Sequence, residues 1–348
     1  MKFTCNQQIL SKAINTVSKA VTNRTTIPIL KGILLRAKDN TLTLTASDLD
    51  LSIEKIIETH VSEEGETVVL SRLFGEIIRK LPNEEITVEL KEDEFPIIGE
   101  IEEKSKLVLN RELFKEMIRK TSFAASLDES KGVIVGVLIE LEENSLNMIA
   151  LDGFRMAVVK EDMKNSEEKK IIIASKILSE ISKIISEVED EDVGIILDNK
   201  KAVVILEGTR IVLRLLEGEF IKYKDILPKE YKTTVTLNKG DFLESIERAS
   251  LFAKEGKNNL VKLSISGNDM TITSRSEEGN VKENVMISTD GEGLDIGFNS
   301  KYLIDVLKVI EEDEIKLELN TGVSPCLVKP IEGNQFVYLI LPVRLSGN

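Results

Sequence analysis

The sequence predicts an α+β fold made of six helix-and-strand units, paired into three similar domains. Three observations predict it. Six times an apolar strand runs into an Asn or Ser able to cap a helix, and then into apolar residues at helical spacing. Between these stretches the hydrophobic period switches to two, the signature of a strand with one buried face. Alternate units can also be laid in register with one another along the chain.

The capping candidates are Asn6, Ser71, Asn110, Ser175, Asn238 and Asn299, whose side chains can accept from the free amides of a first helical turn. The first helix is expected at 6–20, with Ile9, Leu10, Ala13, Ile14 and Val17 on its buried side. The second is expected at 71–81. The third, at 110–121, turns Leu113, Phe114, Met117 and Ile118 inward. The fourth and fifth fall at 175–185 and 238–249, and the last, at 299–310, buries Tyr302, Leu303, Val306 and Leu307. Each is an amphipathic helix of about three turns. Between helices, "TLTLTA", "KAVVIL", "DMTITS" and "IKLEL" alternate as strands, separated by turn signals such as "KDN", "DNKK" and "SGND". Helix followed by strands, repeated, gives units whose helices and sheets are segregated.

The stretches "GILLRAKDNTLTLTASDLDLSI", "GVLIELEENSLNMIALDGFRMAVV" and "VKLSISGNDMTITSRSEEGNVKENV" align with one another, which places domains at 1–105, 106–231 and 232–348. The second unit is short by roughly two strands. Three strand-like runs follow Ser175 and Asn299, but only "EITVEL" follows Ser71 before "KEDEFPIIGEIEE", so the first domain has either lost a hairpin or been trimmed of one.

With 348 residues and 42% hydrophobic content, each domain can fill a core. The longest apolar runs, "VGIIL" and "YLILP", are strand-length, so no bilayer span is expected. The start, "MKFTCNQQIL", lacks a charged leader with an apolar stretch and cleavage site, and a soluble cytoplasmic protein is expected. Cys5 and Cys326 read as free buried thiols rather than a disulfide or zinc framework. The sole histidine, His60, rules out a histidine-based triad or histidine-rich metal site, and neither G-x-G-x-x-G nor G-x-x-x-x-G-K-[ST] occurs. The acidic runs "EVEDED" and "SDLDLS" are where a Mg²⁺ would be sought, and the first reads as a solvated turn. No catalytic residue, metal or cofactor is expected.

The formal net charge of -14 argues against nucleic acid, yet the six helical spans carry 15 Lys and Arg against 8 Asp and Glu. Positive helices on an acidic body suit a protein that holds a phosphate backbone on one surface, and an ordinary solvated helix face suits the count equally. On charge alone the two readings stand level. With no Trp and 4% aromatic content there is no stacking platform, so nucleic-acid binding would take the form of backbone contact without base reading. The chain closes on "YLILPVRL", an apolar end that needs a core or a partner to cover it.

With "SDLDLSI", "LDGFRMAVV", "EFIKYKDILP" and "YLILPVRL" in that order, the chain resembles the family of bacterial DNA polymerase III beta subunits, the sliding clamps, from end to end apart from the shortened second unit. The resemblance implies the DNA clamp fold, with helices inside and sheets outside a head-to-tail dimeric ring. It implies a non-catalytic processivity factor that encircles double-stranded DNA without sequence specificity, in the cytoplasm and associated with the nucleoid. Partners implied are the DNA polymerase III alpha subunit, the clamp loader and repair proteins, each docking a short linear peptide. For DNA contact the resemblance points to Arg24 in "TNRTTIP", and the helix residues Arg72, Arg79, Lys80, Lys120, Lys176, Lys239 and Lys301 join it. The implied peptide groove takes Gly153, Phe154, Arg155 and Met156 from "LDGFRM", and Ile226 from "KYKDILP". Ser324 and Pro325 join them, with Leu339, Leu341, Pro342, Val343 and Arg344 as the C-terminal wall. Leu251 and Phe252 in "RASLFAKEG" match interface positions for the homodimer, while the first domain's interface strand falls in the missing stretch, so that ring closure is either weakened or rebuilt with "ITVEL" as the new edge. Two further readings stand beside this one: a monomeric peptide-docking scaffold that does not encircle DNA, and a metal-dependent nuclease using Asp48 or Asp50.

Overall fold

The computed structural model describes all residues except 23, 24, 26, 91–105, 166, 199, 207, 256, 257 and 346–348. The α-helices among them are α1 (Gln7–Val17), α2 (Ser71–Lys80), α3 (Arg111–Thr121), α4 (Ser175–Ile185), α5 (Lys239–Glu255) and α6 (Ser300–Val309).

Four begin as the capping residues require. Asn6 Oδ1 accepts from the amides of Gln8 and Ile9 at 2.9 and 3.3 Å. Asn110 Oδ1 accepts from Glu112 and Leu113 at 3.1 and 3.2 Å. Asn238 Oδ1 accepts from Asp241 and Asn299 Oδ1 from Lys301, both at 3.0 Å. Ser71 departs from this expectation. It is the first residue of α2 behind Leu70, which makes no side-chain cap. Its buried hydroxyl lies 2.9 Å from that of Ser18, so it ties α2 to the end of α1.

The buried stripe of α1 is Leu10, Ala13, Ile14 and Val17, and Ile9, expected inside, is 49% exposed. Ile9 precedes Leu10 by one residue, about 100° around the helix, which carries it past the edge of the stripe. α5 outruns its expected end at residue 249. Phe242, Ile246, Ala249 and Ala253 continue one buried line, so Leu251 and Phe252 ride on its last turns.

Contacts divide the chain into two compact units, 1–115 with 177–215, and 116–176 with 216–348. The first holds an eight-stranded sheet in the order Gly65–Leu70, Gly32–Lys38, Thr41–Ser47, Leu51–Glu58, Thr209–Arg214, Lys201–Leu206, Asp192–Leu197 and Lys106–Asn110. All its pairings are antiparallel. At its centre Ile53 stands opposite Ile211, joining strands that lie far apart in sequence. A second, three-stranded sheet sets Lys2–Asn6 between His60–Glu63 and Glu85–Glu89. Glu85–Glu89 is the "ITVEL" strand and forms an edge of that sheet. It is the one strand described between α2 and Lys106–Asn110, and residues 91–105 lie outside the described residues.

α1 packs over Thr41–Ser47 and Leu51–Glu58, and its Leu10 and Ile14 are buried, as are Leu42, Leu44 and Ile53 of those strands. Gly75 lets α2 approach it: a Cβ there would stand 3.3 Å from Ile14 Cγ2. Gln7, buried between them, donates through Nε2 to the Ile78 carbonyl at 2.7 Å, satisfying a group that burial would otherwise penalise.

The second unit is built on a twelve-stranded sheet. Its order is Lys169–Ala174, Gly136–Glu142, Ser145–Leu151, Arg155–Asp162, Phe336–Ile340, Cys326–Pro330, Glu314–Leu319, Thr233–Asn238, Gly279–Gly291, Asp269–Ser276, Leu260–Ser266 and Leu294–Asn299. Arg155–Asp162 pairs with Phe336–Ile340, Ala157 opposite Tyr338. α5 lies on the strands that follow it in sequence and against α6. Each large sheet thus draws strands from two of the repeats read in the sequence, and the contact units cut across those repeats. Among the described residues no helix is long and apolar enough to cross a membrane.

The two neighbours on α1 separate core from surface. Leu10→Ala is expected to lower unfolding free energy by about 2–5 kcal/mol, while Ile9→Ala stays within about 0.5 kcal/mol, both read from urea unfolding. Equal losses would mean that Ile9 is covered.

Candidate functional site

The resemblance to a peptide groove converges on one turn. After Ser145–Leu151 the chain reverses through Asp152, whose Oδ1 accepts from the amides of Phe154 and Arg155 at 2.8 and 3.0 Å. Gly153 takes φ +93°, with nothing near the place of a Cβ. The turn recurs at "SDLDLS". Asp48 Oδ1 accepts from the Asp50 and Leu51 amides at 3.1 and 2.8 Å, and Leu49 has φ +79°. The Arg214 amide donates to Asp50 O at 2.9 Å as the Leu341 amide donates to Phe154 O at 2.9 Å. The sequence register between the first and central repeats therefore holds at the level of individual hydrogen bonds. Leu49 takes without glycine a backbone conformation that L-residues rarely adopt.

Arg155 is buried, with its donors committed inside the protein. Nε bonds Asp152 Oδ2 at 3.1 Å, Nη1 bonds Asp305 Oδ2 at 2.5 Å, and Nη2 bonds the Phe123 carbonyl at 2.8 Å. The guanidinium lies 5.2 Å from the Phe123 ring centre and 4.8 Å from that of Tyr302. Phe154 stacks on Tyr302 at 6.1 Å and 20°, with Lys131 Nζ 6.0 Å from its ring centre. One planar cation thus braces the turn, α6 and the segment after α3, its donors forked to three separate acceptors and its plane beside two rings, a site suited to arginine rather than lysine. Burial, then the charges of Asp152 and Asp305, raise the Tyr302 pKa, against the opposing pull of Arg155.

The C-terminal strand divides its residues. Leu339, 3% exposed, and Met156, equally buried, meet in a core cluster with Leu138, Ile149, Leu151, Ile172, Tyr223 and Leu327. These two groove candidates therefore lie in the core rather than at the surface. Phe336, Tyr338 and Ile340 are buried as well. Beyond Ile340 the strand stops. Leu341 is 37% exposed, Pro342 and Val343 are half-buried, and Arg344 is exposed. Phe154 is 53% exposed and Ile226 is exposed at the end of the short turn Tyr223–Asp225. Ser324 and Pro325 are half-buried, the Ser324 hydroxyl 2.7 Å from that of Thr321.

A buried carboxylate that the sequence pattern does not flag holds the Ile226 segment. Glu140, 1% exposed in the strand Gly136–Glu142, accepts from Tyr223 Oη and Lys170 Nζ, each at 2.7 Å, with Lys224 Nζ at 3.6 Å. Lys224 also reaches Glu142 at 2.7 Å. Burial pushes the Glu140 pKa up, but the hydrogen bonds from Lys170 and Tyr223 and the nearby ammonium charges outweigh it, holding the carboxyl below its ordinary value. Burial, and then the Glu140 hydrogen bond, push the Tyr223 phenol well above the usual range. Glu140 is a polar residue in a strand among apolar ones, visible in "GVLIELE", but its partners lie far away in sequence.

Among the DNA-contact candidates, Arg24 lies outside the described residues. Arg72, Arg79, Lys80, Lys176 and Lys301 are exposed, Arg72 pairing with Glu76 at 3.2 Å. Lys239 is half-buried. Lys120 folds back on Glu116 with Glu311 at 4.0 Å, and is mostly covered, so it presents little charge outward. Leu251 is 63% exposed and Phe252 half-buried. Sequence reasoning missed the outward side of α2, where Leu73 and Ile77, with Leu70 just before the helix, are exposed. Their spacing of three and four was itself the signal.

Comparison with known proteins gives a consistent result. Residues 1–110, 108–222 and 224–344 match the N-terminal, central and C-terminal domains described for the DNA polymerase III beta subunit. The chain is 35% identical to a beta sliding clamp of Staphylococcus epidermidis, with 99% of each covered, over 375 aligned positions against 348 residues here. It superposes on the DNA polymerase sliding clamp of Bacillus subtilis with TM-score 0.95 at 33% identity, covering 99% of this chain and 100% of that one. For the DNA polymerase III beta subunit of Thermotoga maritima the TM-score is 0.93 at 29% identity, with the same coverage.

The depressed Glu140 pKa sets a sign for pH. The ionised form is favoured in the folded state, so its contribution is present above about pH 4.5 and fades as the pH falls through the folded value. Glu140→Gln is expected to cost about 1–3 kcal/mol at pH 7, with the gap to the parent narrowing below pH 4.5, measured by urea unfolding across pH. A constant gap would mean that ionised Glu140 contributes nothing.

Proposed function

The chain belongs to the DNA polymerase III beta subunit family, the beta sliding clamps, and we propose on that footing that it is a non-catalytic processivity factor that encircles duplex DNA and tethers partners through a peptide groove. The domains are taken as 1–105, 106–231 and 232–348, each sheet junction joining two of them. One observation carries the groove: solvent-facing Phe154 and Leu341 are fixed to each other by a backbone hydrogen bond above a buried floor of Met156 and Leu339. Extended peptides with apolar anchors need such a preformed apolar surface beside a rigid sheet. The occupants are short linear peptides of the DNA polymerase III alpha subunit, the clamp loader and repair proteins. Arg155 serves the groove as its brace, and Ile226, Pro325, Pro342 and Val343 complete the apolar lining.

DNA is held loosely, through phosphate contacts of exposed Arg72, Arg79, Lys80, Lys176 and Lys301, with Arg24 and Lys239 beside them. Such contacts fall off steeply with salt and read no sequence, which a sliding ring requires. The homodimer closes head to tail on Leu251 and Phe252. The exposed apolar side of α2, Leu70, Leu73 and Ile77, supplies their counterpart on the first domain, with Glu85–Glu89 as a nearby edge strand. Exposed apolar side chains at helical spacing beside a sheet edge are what a second copy covers.

Sedimentation equilibrium tests the ring. A dimer has twice the mass of the 38.9 kDa chain, and Leu73→Ala with Ile77→Ala is expected to shift it toward monomer. A parent that stays monomeric at every concentration would leave a docking scaffold that does not encircle DNA. For the groove, Leu341→Ala is expected to weaken a fluorescent peptide from the cognate alpha subunit by at least about tenfold while retention on circular duplex DNA persists. Unchanged peptide affinity would refute the groove. Leu339→Ala is a poor probe, because its side chain lies in the core and its loss destabilises the fold.

A further inference from the structure

This inference rests on the groove reading and concerns what holds the C-terminal wall in place. Past Ile340 the chain is no longer a strand, and two backbone hydrogen bonds of its own amides hold the segment among the described residues. The Leu341 amide donates to Phe154 O at 2.9 Å and the Val343 amide to Gly297 O at 2.8 Å. Pro342 between them has no amide hydrogen to give. The second bond lands on the outermost strand of the twelve-stranded sheet, Leu294–Asn299, whose other side is paired with Leu260–Ser266, Lys262 opposite Gly297.

Gly297 has ordinary extended backbone, so conformation does not call for glycine there. Space does. A Cβ at this position would stand 2.8 Å from Val343 O, 2.8 Å from Leu345 Cδ2 and 2.9 Å from Leu260 Cδ1. The two leucine tips can swing aside, but the Val343 carbonyl belongs to the crossing backbone and moves only if the segment moves. Glycine inside a strand is otherwise unfavourable, and a close backbone approach is the usual reason for it.

We propose that Gly297 is a positioning residue for the groove: its bare Cα lets the C-terminal segment lie across the sheet edge, and that crossing fixes Leu341 to Arg344 as a wall. The same crossing covers an edge strand that would otherwise offer unpaired amides and carbonyls. Gly297 contributes no side chain to a bound peptide and acts through Val343.

The test is Gly297→Ala in the full chain, with the cognate alpha-subunit peptide as probe and hydrogen exchange read by mass spectrometry. Peptide affinity is expected to fall about tenfold, and amides in 341–345 to exchange at least about tenfold faster. Amides of Leu260–Ser266 and the sedimentation mass stay as in the parent. Unchanged affinity and unchanged exchange at 341–345, with Leu341→Ala still defective, would overturn the role of Gly297. Equal binding by the parent and Leu341→Ala would instead strike at the groove. Should exchange rise across the whole sheet edge, Leu260–Ser266 included, any loss of affinity is a loss of fold and the positioning role of Gly297 is overturned. Release confined to 341–345 together with lost affinity supports it.

Discussion

The antiparallel pairing of Arg155–Asp162 with Phe336–Ile340 is the constraint on which the second unit depends. It makes one sheet of strands that begin far apart in sequence, and it decides where everything near the candidate groove stands. Because side chains alternate along both strands, Met156 and Leu339 are pressed together on one face. The turn that starts one strand meets the segment that leaves the other, so Phe154 and Leu341 become neighbours. Arg155 stands at that corner and converts it into a rigid one by joining two carboxylates, a carbonyl and two aromatic rings. A buried cation needs such partners to offset lost hydration, and the geometry that satisfies it also fixes its surroundings.

Much of this architecture was legible from local chemistry. Asparagine caps and helical stripes located the helices because capping and amphipathic burial are local effects, readable from a few neighbouring residues. The correspondence between "SDLDLS" and "LDGFRM" proved to be one hydrogen-bonded turn built twice. What stayed hidden depends on partners distant in the chain. Ser71 looked like a cap and is claimed by Ser18. Lys120 looked like an outward charge and is neutralised by Glu116. Glu140 could not be tied to Tyr223, nor Arg155 to Asp305, without the fold that brings them together. Pattern shows which face a residue occupies, and leaves open what stands opposite it.

The candidate groove is held by different kinds of force on its different sides. The Ile226 segment is pinned electrostatically, through a phenol and two ammonium groups converging on one buried carboxylate. The C-terminal segment is pinned by backbone hydrogen bonds and close approach at a glycine. The turn at Gly153 is pinned by an aspartate that serves its own amides and the arginine together. Carboxylate ion pairs therefore hold two sides of the candidate site, and backbone contacts hold the third.

The long reach of the sheet pairings also bears on how the protein is made. The strand Leu51–Glu58 finds its neighbour Thr209–Arg214 only after the intervening chain has been synthesised, and Arg155–Asp162 waits for Phe336–Ile340. Contacts of such wide sequence separation close slowly, because chain entropy must be surrendered before they repay it. On the ribosome the nascent chain therefore carries an unfinished sheet centre, with open strand edges, until Phe336–Ile340 has emerged, the state in which edge-to-edge association with another chain competes with folding.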